Sequence, residues 1–338
     1  MNNDEIMVSI CCITYNHAKY IAEAIDSFLM QKLDYKYEIL IHDDASTDGT
    51  VKIIKEYEKR FPNIIKPIYQ KENQYSKGNI RINYEYNIKR AKGKYIALCE
   101  GDDYWTDPYK LQKQINYMEK HQQCSLCVHS TYIKYICKKK KSSRNYIKPS
   151  SHNRKFFIVD ILKSDGGIFS TNSILYRREY NKTMPKFYFI APVGDYPLIV
   201  YLATKGYIYY MNDVMSVYRK GVENSWSERI LRKDKLYNNH LRKKIYMFDE
   251  INKYLNYRFN NILGKKLLLN NFNYNLYRYN YKQLSKDKYK MIIKNLPIRT
   301  KVHIKIGKQF PRVMRFIMYL IINLKKNYYI KRLFSKFR

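Results

Sequence analysis

The chain has 338 residues, room for one large or two ordinary domains, and its 45% apolar content allows a sizeable core. The net charge of +35 is unevenly placed: residues 1–228 carry 35 basic and 25 acidic side chains, residues 229–338 carry 29 and 4, and no acid follows Asp287. Six cysteines in mostly apolar runs argue against a disulfide framework, and the apolar stretch Phe316–Leu324 is too short to span a bilayer.

The start, Met1-Asn2-Asn3-Asp4-Glu5, lacks the basic region and apolar core of a signal peptide. The expectation is a cytoplasmic protein, peripheral on the inner face of the cell membrane if its basic tail meets anionic lipid. Val8–Thr14 reads as a buried strand, followed by the loop Tyr15-Asn16-His17. Ile21, Ala24, Ile25, Phe28 and Leu29 recur at helical spacing between Lys19 and Gln31. Tyr37–Ile41 is a second strand, and Asp43–Thr50 is a polar turn ahead of a helix that ends before Pro62. Ile64–Tyr69 is a third strand, Gly78–Ala91 reads as helical, and Tyr95–Cys99 is a fourth strand. Three acids then crowd into Glu100-Gly101-Asp102-Asp103-Tyr104-Trp105.

Alternating strands and helices imply an α/β fold with a mainly parallel, twisted sheet covered on both faces. In such sheets ligands sit at the carboxyl ends of the strands. Three polar clusters lie at three such ends: Thr14-Tyr15-Asn16, Asp43-Asp44 and Glu100–Asp103. Crowded carboxylates at a buried strand end call for a hard divalent cation. Neighbouring side chains in extended backbone point to opposite sides, so Asp102 and Asp103 are expected to divide the work.

Further along, Thr106-Asp107-Pro108 opens a helix, Leu126–Ile136 reads as a strand, and 137–155 as a solvated loop. Phe156–Leu162 is a short helix, Ile168–Tyr176 a strand, Leu198–Thr204 an apolar helix, and Tyr207–Met211 and Val214–Tyr218 two more strands. From Glu228 the pattern is helical and basic, interrupted at Gly264, Pro297, Gly307 and Pro311. The boundary falls near Trp226, giving a domain over 1–226, with halves of about 6–107 and 108–226, and a basic helical region over 227–338. Asp44–Gly49 begins like a calcium loop, but Lys55 stands where a bidentate Glu is required. No phosphate loop or dinucleotide glycine fingerprint occurs, and Cys124-Ser125-Leu126-Cys127 has no second pair for zinc.

Val8–Asn16, Asp43–Thr50, Gly93–Cys99 and Glu100–Trp105, in this order and spacing, resemble the nucleotide-sugar half of family 2 glycosyltransferases, which are inverting enzymes of the GT-A fold. The likeness continues through Pro108-x-Lys110-Leu111 and covers about residues 6–225; Ile13 stands where many relatives have proline. The resemblance implies a nucleotide-diphosphate sugar as donor, with a UDP-sugar the expected choice. It implies that Thr14, Tyr15 and Asn16 line the base and ribose pocket, that Asp44 reads the base, and that Arg81 reaches the nucleotide. Asp102 would face the ribose, and Asp103, in a DXD-like motif, would hold Mn²⁺ or Mg²⁺ on the diphosphate. An inverting transferase needs a carboxylate base for the acceptor hydroxyl, and Asp195 in Gly194-Asp195 matches it, with Asp165 as competitor and a helix cap as the bland alternative. Gly166, Gly167 and Thr171–Ser173 would shape the sugar or acceptor pocket. Arg219 or Lys220 would meet phosphate, where relatives carry a His, and Trp226 would serve as an acceptor platform. The acceptor would be a surface glycan or a lipid-linked saccharide. Residues 312–338 suit an anionic membrane interface, whereas no nucleic-acid module is present. The alternatives are a non-catalytic nucleotide-sugar or polyanion binder on this fold, and a nucleotidyltransferase.

Overall fold

The computed structural model describes residues 5–136, 145–164, 166–223, 225 and 234–314. Four parallel strands form the first half of one sheet: β1 (Ile6–Thr14), β2 (Lys36–Asp43), β3 (Ile65–Tyr69) and β4 (Tyr95–Leu98), in the order β3-β2-β1-β4. Burial is almost continuous along β1 rather than alternating, because the sheet is covered on both faces. Ile21, Ala24, Ile25 and Phe28 of α1 (Ile21–Leu29) are fully buried and join the core with Ile54 of α2 (Thr50–Arg60).

The second half is mixed. β9 (Leu175–Arg177) runs antiparallel between β4 and β6 (Cys124–Tyr135), and β10 (Tyr207–Lys220) lies parallel to β6. The two-residue β5 (Tyr104–Trp105), just after the acidic hexapeptide's glycine and aspartates, pairs antiparallel with β10. β7 (Tyr146–Ile147) and β8 (Arg154–Phe156) are short side pairings within the stretch expected to be loop. The long strands are joined in parallel and the short ones antiparallel, which is the GT-A type of sheet.

Several expected elements differ. The helix over 78–91 shrinks to α3 (Ile82–Tyr86) and a 3₁₀ turn, Ile88–Arg90. Asp44 holds the backbone N–H groups of Gln74 and Tyr75, and Gly78 adopts a left-handed φ of 96°, so the chain is still turning there. The strand expected over 168–176 is reduced to β9 at its end, preceded by a 3₁₀ turn, Thr171–Ser173. The two strands expected over 207–218 are one, with register shifts between Met211 and Ser216. Helices α4 (Lys110–Lys120), α5 (Ile158–Lys163), α6 (Lys186–Ile190) and α7 (Asp195–Ala203) complete this part.

The chain divides into two compact units, Met1–Phe189 with Val193–Val222, and Ile190–Pro192 with Glu223–Arg338. The described part of the second is helical: α8 (Asp234–Tyr254), α9 (Asn260–Tyr277), α10 (Tyr281–Leu284), α11 (Lys290–Lys294) and α12 (Ile298–Gln309). Phe272, Leu276, Leu284, Tyr289 and Ile304 sit in its core. Gly264 and Gly307, expected to interrupt helices, lie inside α9 and α12. Asp165, Trp226 and residues 315–338, which include nearly all of the expected membrane tail, lie outside the described residues.

Candidate active site

Because β1 lies between β2 and β4, their carboxyl ends are neighbours. The Asp44 N–H donates to the Thr14 carbonyl at 3.0 Å, and the Gly101 N–H to the Ile13 carbonyl at 2.9 Å. Asn16 adopts a left-handed φ of 56°, a conformation asparagine tolerates. Its side-chain oxygen accepts from the Thr47 N–H, and its own N–H donates to Ser46 Oγ, both at 2.8 Å. Asn16 therefore stitches the two loops together. Tyr15 is half-buried beside it. Asp44 is 1% exposed, and its carboxylate accepts the N–H groups of Gln74 at 2.7 Å and Tyr75 at 3.1 Å. Asp44 thus organises the 73–76 turn at the same strand end.

In the hexapeptide, Gly101 is required by close approach: a Cβ there would stand 2.8 Å from Thr14 Oγ1. Asp103 is 1% exposed, and both its carboxylate oxygens are engaged. Oδ2 accepts from Asn172 Nδ2 at 3.0 Å and Oδ1 from the Arg219 N–H at 2.8 Å. The Asp102 carboxylate has His17 beside it, with Nε2 to Oδ2 at 3.9 Å. The expected division of work puts the metal on Asp103 and the ribose on Asp102. Alternation does separate the two aspartates, but Asp103 turns into the fold and Asp102 toward the first loop.

Arg219 is likewise spoken for. It is buried, donates from Nη1 to the Asp102 carbonyl at 2.6 Å, pairs with Glu23, and stacks on Tyr104 and Tyr20. Arg219, expected with Lys220 as a phosphate contact, thus holds the acidic loop through the Asp102 carbonyl. Lys220 is exposed at the end of β10, with its ammonium over the Tyr135 ring at 5.7 Å. Gly167 is exposed with φ at 66°, and Thr171 begins the 3₁₀ turn that carries Asn172.

Asp195 is the first residue of α7, with Gly194 as the cap, so the cap alternative is displaced by one residue. Burial raises its carboxyl above the usual range; the Tyr196 and Asp195 backbone N–H groups and the Arg81 charge pull it back. Arg81 is 7% exposed and is held by the Tyr188 carbonyl, to which Nε donates at 2.7 Å. Burial raises Glu100 as well, and Asp102 and then Asp195 raise it further. Acids about 95 positions apart in the chain are therefore electrostatic neighbours.

The family model for Glycosyl transferase family 2 matches residues 9–184. The chain belongs to this family. It is 36% identical over 223 residues to Uncharacterized protein Rv1520 of Mycobacterium tuberculosis, covering 65% of this chain and 60% of that one. It thus spans about three fifths of that relative's length. It is 38% identical over 115 residues to the Putative glycosyltransferase EpsE of Bacillus subtilis, covering 34% of this chain and 39% of that one. In fold it is similar to the mannosyltransferase PcManGT of Pyrobaculum calidifontis, solved with GDP-Man and Mn²⁺. The TM-score is 0.51 at 17% identity, covering 95% of this chain and 87% of that one. TarS of S. aureus, solved with UDP-GlcNAc, gives 0.50 at 16%, covering 78% and 76%.

Within this family 2 chain, no three His, Cys, Asp or Glu side chains among the described residues converge closely enough to hold a metal ion unaided. The donor set nevertheless fits one. Burial, and then the charges of Asp102 and Asp195, raise the Glu100 carboxyl, and carboxylate oxygens suit a hard cation whose remaining ligands would come from a diphosphate. Sequence reasoning missed Asn172 as an organiser. It holds Asp103, accepts from Ser216 Oγ at 2.8 Å, and its carbonyl accepts the Trp105 indole N–H at 2.8 Å. It also passed over His17, which flanks Asp102. An asparagine beside Thr171 carries no signal of its own. His17, directly after Tyr15-Asn16, was the more visible of the two.

Proposed function

We propose that this protein is an inverting glycosyltransferase. Its catalytic domain, residues 1–226, moves a sugar from a nucleotide-diphosphate sugar, with a UDP-sugar as the expected donor, to a hydroxyl of a surface glycan or lipid-linked saccharide. The observation that carries the reading is the gathering of Thr14, Asp44 and the Glu100–Asp103 loop at neighbouring strand ends, tied by the Asp44 and Gly101 N–H groups to the Thr14 and Ile13 carbonyls. The donors present in the two similar solved structures, GDP-Man and UDP-GlcNAc, support the substrate class.

In this reading Thr14, Tyr15, Asn16 and Asp44 frame the nucleoside side, and Asp195 takes the acceptor proton. A raised carboxyl is a better proton acceptor than an ordinary aspartate, and the Arg81 charge favours its ionised form. Asp102 with Glu100 would hold Mn²⁺ or Mg²⁺, and the ion would neutralise charge on the leaving diphosphate. Asp103, with its oxygens already bound, sets the loop instead.

The test is release of nucleoside diphosphate from a donor panel by the purified chain. Asp195→Ala and Asp102→Ala should each lose about 100- to 10,000-fold in kcat with the melting temperature kept. Asp103→Ala should instead lower the melting temperature, because one of the two N–H groups of Asn172 Nδ2 and the Arg219 N–H are left unsatisfied, a cost of about 1–3 kcal/mol each. Full activity in the Asp195 variant would sink the base assignment. Pyrophosphate as product would point to nucleotidyl transfer, and donor binding without turnover to a binding protein.

A further inference from the structure

We propose that the outward face of α12 is a docking surface for an anionic lipid bilayer. At about 100° per residue around a helix, Ile298, Val302 and Ile306 share one stripe and Thr300, Ile304 and Gly307 the opposite one. The second set is buried, with Ile304 in the core of the helical unit. No rotation of α12 can therefore hide the first set. Ile298 is 72% exposed, Val302 46% and Ile306 39%, and Phe310 and Val313 just beyond are 58% and 52%.

Arg299 and Lys305 border this stripe, and from Lys288 to Arg312 the chain carries eight cations and no acid. A polynucleotide would use the cations but leave the aliphatic side chains in water. A second copy docked on the same face would set like charge against like charge, since a two-fold interface pairs a patch with itself. A bilayer with acidic headgroups satisfies both features: the cations sit at the phosphates and the apolar stripe enters the acyl boundary. No helix among the described residues is long and apolar enough to cross a membrane. The inference is independent of the transferase reading.

Flotation of the full chain with phosphatidylcholine vesicles, with and without about 30 mol % phosphatidylserine, tests it. The chain should float with the anionic vesicles and be largely released at about 1 M NaCl. The triple substitution Ile298→Asn, Val302→Asn and Ile306→Asn should weaken that binding at least about tenfold while the chain keeps its helical circular dichroism, and Ile298→Asn alone, at the most exposed of the three, should weaken it in the same direction. The pair Arg299→Glu and Lys305→Glu should abolish the preference for phosphatidylserine. Unaltered vesicle binding by the triple variant would overturn the proposal. So would a native dimer that the triple variant turns to monomer, or binding of RNA with none to vesicles.

Discussion

Asp195 and Arg81 show how one side chain tunes another. Burial pushes the Asp195 carboxyl up and the Arg81 guanidinium holds it down, so removing the charge should let it rise. In Arg81→Met the acid limb of the kcat/KM profile should therefore move to higher pH, with activity recovering at alkaline pH. A purely structural role, through the bond to the Tyr188 carbonyl, would lower activity equally at every pH. The two aspartates teach a related lesson. Alternation along an extended segment correctly separates Asp102 from Asp103. It says nothing about which side is inside, because that depends on Asn172 and Arg219, about 69 and 116 residues away.

At the scale of elements, glycine shows how far a composition rule reaches. Both Gly264 and Gly307 read as helix breakers, yet both lie in helices. On propensity alone, Gly→Ala in a helix stabilises by about 0.5–1 kcal/mol. At Gly264 the nearest neighbour to a new Cβ is the Asn260 side-chain oxygen at 3.4 Å, so the gain should appear in full. At Gly307 the new Cβ would stand 2.2 Å from the Tyr281 ring, which is buried in the core of the unit. Overpacking there costs about 1–3 kcal/mol and should win. Denaturant unfolding of the two variants should move in opposite directions. The same logic explains α3: nothing in Gly78–Ala91 is unfit for a helix, but Asp44 engages the preceding N–H groups and delays its start.

For the whole molecule, the acidic cluster links pH to cation binding. The raised Glu100 carboxyl favours its protonated form, so this group's contribution to stability falls as pH rises above the ordinary carboxylate range. A bound cation reverses that sign, since it needs the ionised form and displaces the proton. The stabilisation by Mn²⁺ with UDP, read as a shift in melting temperature, should be larger at about pH 8.5 than at about pH 6, and a chelator should remove it. What the sequence determined by itself was the succession of strands and helices, the three polar strand ends and the charge of the C-terminal region. Each of these is a local pattern of polarity and spacing. Only the tertiary structure decided that Asp103 and Arg219 face inward, that Asn172 ties β5, β10 and the acidic loop together, and that α12 leaves an apolar stripe in water. Those outcomes depend on which distant groups fill the buried hydrogen bonds and which helix face meets the core, and a linear pattern does not encode that choice.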